Sequence, residues 1–260
     1  MIDFDKNIER ERYDTRASLQ LDLLDNQISL GSESIPSYLR PPYLLYERLI
    51  SENISKCYSC LEIGAGIGTH SKALLDTGAH VVISDISQIS LDVVREKFTE
   101  KYENFVTKVA DMESLPFPDS HFDAILCAGS LSYGDPLKVN SEIRRVLRNG
   151  GLLIFVDSLG HNPIYRLNRW FHFLRNNRTK STLQRIPTIT RIEQLTLGFS
   201  SVAISYFGGF IYLSPIIKRL FGAEAAVIFL NRLDFFLRIK KSAFKFVLLC
   251  RNFSKSDVKI

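Results

Sequence analysis

"LEIGAGIGTH", Leu61–His70, places three glycines in five positions and a carboxylate, Glu62, two residues ahead of the first. An apolar stretch running into glycines marks the junction of a buried strand and a helix. There a bare backbone lets a ligand come close. Dinucleotide-binding folds space this junction G-x-G-x-x-G, so that amides and a helix N-terminus meet a pyrophosphate. Here the glycines are Gly64, Gly66 and Gly68, and Thr69 stands where that pattern has its last glycine. Glu62 would repel a pyrophosphate and attract an ammonium group. The turn asks for a ligand with a positive charge and no phosphate.

Outward from this turn, strand and helix patterns alternate. "SCLEIG" (59–64) reads as a buried strand and "THSKALLDTG" (69–78) as a helix closed by Gly78. "HVVISDIS" (80–87) is a strand, "ISLDVVREKFTEKY" (89–102) a helix with apolar residues at helical spacing, and "NFVTKVAD" (104–111) a third strand. "FDAILCAG" (122–129) is nearly all apolar, as a strand covered on both faces is. "KVNSEIRRVLRNGG" (138–151) reads as an amphipathic helix ended by glycine, and "LLIFVDS" (152–158) as a fifth strand. This alternation predicts right-handed βαβ crossovers and an open, doubly wound α/β sheet. Before it, residues 1–35 read as polar helix, and Pro36, Pro41 and Pro42 precede a second helix, Tyr43–Asn53. The expected division is an N-terminal helical cap (1–55) and a sheet domain (56–260).

Ligands in such sheets bind beyond the carboxyl ends of the strands, so the residues just after each strand decide the chemistry. Asp85 ends the second strand, where an acid can accept both hydroxyls of a ribose. Asp111 and Met112 end the third, a carboxylate for an exocyclic amine followed by an apolar side chain for an adenine face. An acid at a strand end is often only a helix cap. Three in order on consecutive strands specify a ligand with an ammonium and a nucleoside: S-adenosylmethionine.

These segments, with "LPFPDSHFD" (115–123) before the fourth strand and "VLRNGGLLIFVDS" through the fifth, resemble the class I, Rossmann-like, S-adenosylmethionine-dependent methyltransferases. They are nearest the small-molecule branch that includes quinone, sterol and sugar methylases, and the match covers about Ser59–Ser158. The resemblance implies a mostly parallel seven-stranded sheet with the last strand reversed. "FSSVAISYF" (199–207) and "AFKFVLLC" (243–250) would be its sixth and seventh strands, with helical insertions at about 159–192 and 208–241. It also implies a cofactor site made of Glu62, Gly64, Ala65, Gly66, Gly68, Asp85, Ile86, Asp111, Met112, Ala128 and Gly129, and no metal.

The family has no universal catalytic base, since holding a nucleophile in line with an activated methyl supplies much of the rate. A hydroxyl acceptor nevertheless profits from a group that takes its proton. Ser130, Ser132 and Tyr133 follow the fourth strand and would flank the methyl; Tyr133 is a catalytic candidate. Asp157, His161 and Asn162 follow the fifth, and His161 is the candidate base because imidazole titrates in the useful range. "GHNPIYRLNR" (160–169) resembles a subset of bacterial members. Where those carry a downstream Glu-His pair this chain has "TLQRIP" (182–187), so their acceptor does not carry over. His121 reads as structural, and His70 and His80 as solvated. Trp170, Phe171 and Phe173 either line an acceptor pocket or pack an amphipathic helix.

Charge divides the chain. Residues 1–157 hold 24 acids against 16 bases, and residues 158–260 hold 4 against 17; no acid occurs from Ser158 to Ile192. A basic half can face an anionic substrate, nucleic acid or an anionic membrane, or only balance the acidic half. The sequence lacks an N-P-P-Y or D-P-P-Y motif after the fourth strand, having "AGSLSY" (128–133), so nucleic acid is not the expected partner. An NAD oxidoreductase fails on the glycine spacing and on Glu62. A catalytically silent binding protein would not need Glu62 and Asp85 together. The leading expectation is methyl transfer to a hydroxyl of a small or lipid-linked acceptor: a sugar, glycolipid or prenylated phenol. The charge-dense start excludes an ordinary secretory signal. Gly, Ser and Pro215 interrupt the charge-free run Gln194–Ile217, which reads as strand and interfacial helix rather than a membrane span. Cys57 and Cys60 have no second pair for zinc, so the four cysteines read as reduced thiols of a cytoplasmic protein. Bases punctuating apolar blocks in 208–241 suggest contact with the inner membrane face; packing in a homodimer is the alternative.

Overall fold

The sheet forms because its strands are apolar on both sides of the pleat, and only helices on both faces can cover them. The structure, a computed structural model, describes residues 2–21, 31–174, 179–222, 225, 228–230, 232–233 and 240–257. Its seven strands are β1 (Ser59–Ile63), β2 (His80–Asp85), β3 (Phe105–Val109), β4 (Phe122–Ala128), β5 (Leu147–Ser158), β6 (Phe199–Phe207) and β7 (Lys245–Phe253). They lie in the order β3-β2-β1-β4-β5-β7-β6. The first five are parallel, and β7 runs antiparallel between β5 and β6. This is the expected doubly wound, mostly parallel sheet with a reversed last strand.

Side chains leave each strand alternately to the two faces, and two cores result. On one face Leu61, Ile63, Ile125, Leu153 and Phe155 pack with Val139, Ile143 and Val146 of α5 (Pro136–Val146) and with Ile192 and Leu195 of α8 (Ile189–Leu195). On the other, Cys60, Ile83, Leu126, Ile154 and Val247 pack with three helices. These are α2 (Pro41–Asn53), through Tyr46 and Ile50; α3 (Ser71–Leu75), through Leu74 and Leu75; and α4 (Gln88–Phe98), through Leu91, Val94 and Phe98.

Several boundaries differ from the sequence reading: α3 ends at Leu75 and α4 at Phe98, short of Gly78 and Tyr102. The helix predicted to run to Gly151 ends at Val146, and β5 starts directly at Leu147. Leu147 opposes Phe122 while Leu152 opposes Ala124, so 148–151 bulge out of register, with Gly150 at φ +79°. Within 1–35 the described helix is α1 (Ile2–Leu21), followed by a 3₁₀ turn at Gly31–Ser34; 22–30 lie outside the described residues. Tyr46 and Ile50 seat α2 in the sheet's own core, whereas α1 lies across the carboxyl edge.

Helices α6 (Pro163–Leu174), α7 (Lys180–Gln184) and α8 follow β5, and α9 (Ser214–Phe221) follows β6. Much of 223–239 lies outside the described residues, as does the Phe173 side chain. No helix among the described residues is long and apolar enough to cross a membrane.

The order places a switch point between β1 and β4, whose connections leave in opposite directions. Core integrity at that point depends on large side chains such as Phe155, fully buried in β5. Phe155→Ala removes those contacts and leaves a cavity. The expected loss is about 3–5 kcal/mol of unfolding free energy, read as a lower urea midpoint with an unchanged slope.

Candidate functional site

A cavity of about 450 Å³ opens at the switch point. Its walls come from the turn after β1 (Gly64–Ile67), Asp85 and Ile86 after β2, Asp111 and Met112 after β3, and Ala128–Ser130 and Tyr133 after β4. Ile35, Tyr43, Thr69 and His70 line it too, and α1 adds Lys6, Glu9, Tyr13 and Arg16. Of the eleven residues expected to hold the cofactor, only Glu62 and Gly68 are not in the wall.

Asp85 is the best-defined group. Its Oδ2 accepts the Gly66 amide at 2.7 Å and its Oδ1 the Ser87 amide at 2.9 Å. Burial pushes its carboxyl up, while the amides of Ser87, Gly66 and Ile86 pull the other way. Each oxygen keeps a lone pair for a ligand hydroxyl. Gly66 itself has φ +56°, and a Cβ built on it would stand in open space. Gly68, at φ +74°, differs: a Cβ there would meet Phe98 Cε2 at 2.9 Å and Val94 Cγ2 at 3.0 Å. Gly68 therefore lets the turn pack closely against α4 and does not itself line the cavity.

Glu62 is 2% exposed, and its Oε2 accepts the Ser71 hydroxyl at 2.6 Å. Burial pushes its carboxyl up to about 7; Ser71 lowers it and the nearby Asp85 raises it. Glu62 therefore acts from behind the wall. At Asp111, Oδ1 accepts the Glu113 amide at 2.9 Å and Oδ2 pairs with Lys6 Nζ at 2.6 Å. Lys6 also reaches Glu113 Oε2 at 2.9 Å. The carboxylate expected to face an exocyclic amine thus already holds a cation from α1.

Tyr133 lines the cavity as expected. Its hydroxyl accepts from Tyr13 Oη at 2.6 Å and from Arg12 Nη2 at 3.4 Å. Ser130 Oγ donates to Ile63 O at 3.2 Å and sits in the wall, whereas Ser132 is buried outside it. His161 is not brought to the cavity. Its Nε2 accepts the Ile189 amide at 2.9 Å, where α8 begins and a helix N–H needs an acceptor. That lone pair is committed to the fold, away from the cavity where a base was expected. Asn162 is likewise structural: its Oδ1 accepts the Tyr165 amide and its Nδ2 donates to Ser242 O at 2.6 Å.

His70, expected in solvent, is in the wall with an 11% exposed side chain. Its ring stacks on Tyr43 at 4.6 Å and 7°, and Nδ1 lies 3.7 Å from Glu47 Oε1. Glu47 is held in turn by the amide and hydroxyl of Ser32, both at 2.7 Å. No local pattern announces His70 or the α1 residues. His80 is exposed as expected, and His121 stacks on Phe117 as a structural residue.

The residues fit S-adenosylmethionine: a bare cradle at Gly66, hydroxyl acceptors at Asp85, an apolar face at Met112 and a buried carboxyl at Glu62 that a nearby cation would ionise. Two predictions follow from the two roles of glycine and from Glu62. Gly66→Ala should abolish cofactor binding and cost only the about 1–2 kcal/mol of its positive φ, while Gly68→Ala, which also meets Phe98 and Val94, should cost about 1–3 kcal/mol more and leave affinity in the folded protein unchanged. A bound cation near Glu62 favours its carboxylate, so binding expels a proton. Affinity should rise with pH up to about 7 and level off above it. Calorimetry in buffers of different ionisation heat reads that proton, and Glu62→Gln should remove it.

Comparison with known proteins agrees. Residues 61–155 match the family model described as a methyltransferase domain. The demethylmenaquinone methyltransferase of Clavibacter sepedonicus is 38% identical over 99 residues, covering 37% of this chain and 40% of that protein. The sterol 4-C-methyltransferase strm-1 of Caenorhabditis elegans is 35% identical over 123 residues, covering 46% and 36%. The chain thus spans less than half the length of these relatives. Among solved structures, the phosphoethanolamine N-methyltransferase 2 of Haemonchus contortus, in complex with phosphomonomethylethanolamine and S-adenosylhomocysteine, superposes with a TM-score of 0.57. It is 19% identical, covering 81% of this chain and 52% of that one, a likeness of fold. Residues 61–155 thus match a methyltransferase domain, and the sheet around them has the fold of solved methyltransferases.

Proposed function

We propose that the protein transfers a methyl group from S-adenosylmethionine to a hydroxyl of a small or lipid-linked acceptor: a sugar, glycolipid or prenylated phenol. The observation that carries this reading is the single cavity in which the Gly66 cradle and Asp85 meet Tyr43, His70 and Tyr133. Its volume falls within the range of about 300–1,000 Å³ usual for small-molecule sites. The relatives named for demethylmenaquinone and for a sterol support an acceptor with a large apolar body.

The cofactor, when bound, supplies a methyl already activated on a sulfonium. What remains for this chain is to hold the acceptor, exclude water and take a proton. Tyr43 and Met112 give apolar faces, and Tyr133 gives a hydroxyl fixed by Tyr13 and Arg12. His70 is the group in the wall suited to take a hydroxyl proton. Glu47, anchored by Ser32, lies 3.7 Å from its Nδ1 and fixes the side on which the ring can accept. The sterol 4-C relative supports a second reading, in which the acceptor atom is carbon. Then proton removal follows methyl transfer, and a base in the wall is still required.

Calorimetry should show S-adenosylmethionine and S-adenosylhomocysteine binding, and Asp85→Ala should weaken both by about 1.5–3 kcal/mol through lost ribose acceptors. Absence of heat with either, together with binding of NAD, would overturn the domain's assigned cofactor. Tritiated S-adenosylmethionine added to a cell extract should place label in the lipid or glycan fraction as a methyl ether that hydriodic acid releases as methyl iodide, whereas label on carbon, which resists that cleavage, selects the second reading. With that acceptor, His70→Ala should lower turnover about 10²–10⁴-fold at unchanged cofactor affinity, and His161→Ala should cost stability instead.

A further inference from the structure

Two helices that the cavity does not use present unpartnered apolar side chains. On α6, Ile164, Leu167 and Phe171 form one stripe at helical spacing with Trp170 beside it, each about half exposed. On α9, Ile216, Leu220 and Phe221 are 59%, 67% and 69% exposed, and Ile228 and Phe229 beyond it are also open to solvent. Side chains this large are ordinarily the first to be covered in a chain with so complete a core.

The two faces belong together. β5 and β6 run in the same direction on either side of β7, so α6 and α9 leave the same edge of the sheet. Their roots are pinned to each other: Asn162 Nδ2 donates to Ser242 O at 2.6 Å, and the Ser242 hydroxyl donates to Gly209 O. Two strand spacings, about 10 Å, separate the points where they start. This is also the carboxyl edge, on which the cavity opens.

Charge narrows the choice of partner. Neither helix contains an acid, while Arg166, Lys218, Arg219, Arg232, Lys240 and Lys241 are exposed on or beside them. A symmetric contact between two copies would bring the same patch to itself and set these bases against one another. A partner must therefore be apolar where it meets Phe171 and Leu220 and anionic around them. With 12 and 8 residues the helices are too short to span a bilayer.

We propose that the α6–α9 face docks the protein on an anionic lipid bilayer, its apolar side chains entering the headgroup–acyl boundary and its bases meeting lipid phosphates. The proposal stands on this surface and not on the acceptor chemistry, although a lipid-linked acceptor would be reached from the same edge.

Trp170 is the only tryptophan of the chain, so its fluorescence reports on this face alone. Phosphatidylcholine vesicles containing phosphatidylglycerol should sediment the full chain at low salt and shift Trp170 emission to the blue. High salt should reverse both, and pure phosphatidylcholine vesicles should give neither. Lys218→Glu with Arg219→Glu should weaken binding at least about tenfold, as two reversed charges at a membrane surface imply. Leu220→Asp with Phe221→Asp should abolish it, and all four changes lie in exposed positions and should leave S-adenosylhomocysteine binding intact. Wild type remaining in the supernatant with unshifted Trp170 emission overturns the proposal. So does a stable dimer by light scattering that Leu220→Asp with Phe221→Asp splits, since the face would then be a subunit interface. Cofactor binding tests the methyltransferase reading separately, because these outcomes leave it untouched.

Discussion

The hydrogen bond from the Gly66 amide to Asp85 Oδ2 is the contact on which the site depends. It ties the turn after β1 to the end of β2, and a parallel sheet alone would leave that gap open. Gly66 must be at positive φ for its amide to point there, and nothing may project from its Cα if a ligand is to use the space. Asp85 in turn can remain in a largely buried place because backbone amides hold both of its oxygens. One bond thereby shapes the cradle and fixes the acceptor beside it.

The consequence is a cavity rich in negative charge, with Asp85 and Asp111 in its wall, Glu62 behind it and Asp14 close to Asp85. Opposing charge comes from α1, a polar helix whose hold is made of directional contacts. Lys6 pairs with Asp111 and Glu113, Asp14 accepts from Ser87 at 2.5 Å, and Tyr13 donates to Tyr133. Glu9 accepts from Thr179 and Thr182, joining α1 to the insertion after β5. Ala17 is its one fully buried apolar side chain among those described. Such a helix is specific in position and weakly anchored, since exchanging water for partly exposed ion pairs yields little net free energy. Binding of a cationic ligand beneath it changes the balance of all these pairs.

The fold could be read from the sequence because its determinants are local. Each strand is a short apolar run, each crossover helix has its own period, and glycines mark the turns. Asp85 and Asp111 were legible for the same reason: a strand end fixes where the next side chain goes. Glu62 was legible as an acid at the end of the first strand, whereas its burial behind Ser71 was not. What failed was nonlocal. Lys6 meets Asp111 across 105 positions and Tyr13 meets Tyr133 across 120, and no periodicity in a polar helix names such partners. His161 follows a strand end as a base would, but the first amide of α8 required an acceptor and took its Nε2. His70 looked solvated beside a short helix; Tyr43, brought by α2, covers it.

A buried pair beneath the wall links the parts of the site that remain. Asp157, at the end of β5, accepts the Leu131 amide at 2.9 Å and so fixes the turn that carries Tyr133. Burial raises its carboxyl, and the charge of Lys245 on β7 opposes that rise. Lys245 is itself buried, with its Nζ 4.9 Å from the centre of the Tyr43 ring. Each charge is costly alone and tolerable only with the other and with its added partners. Lys245 thus lies beside Tyr43, while Asp157 fixes the turn after β4 on which Tyr133 stands. Losing either charge would leave the other without its opposite in a buried place. Reversal brings the first residue of β7, rather than its last, to the carboxyl edge, and that residue is Lys245.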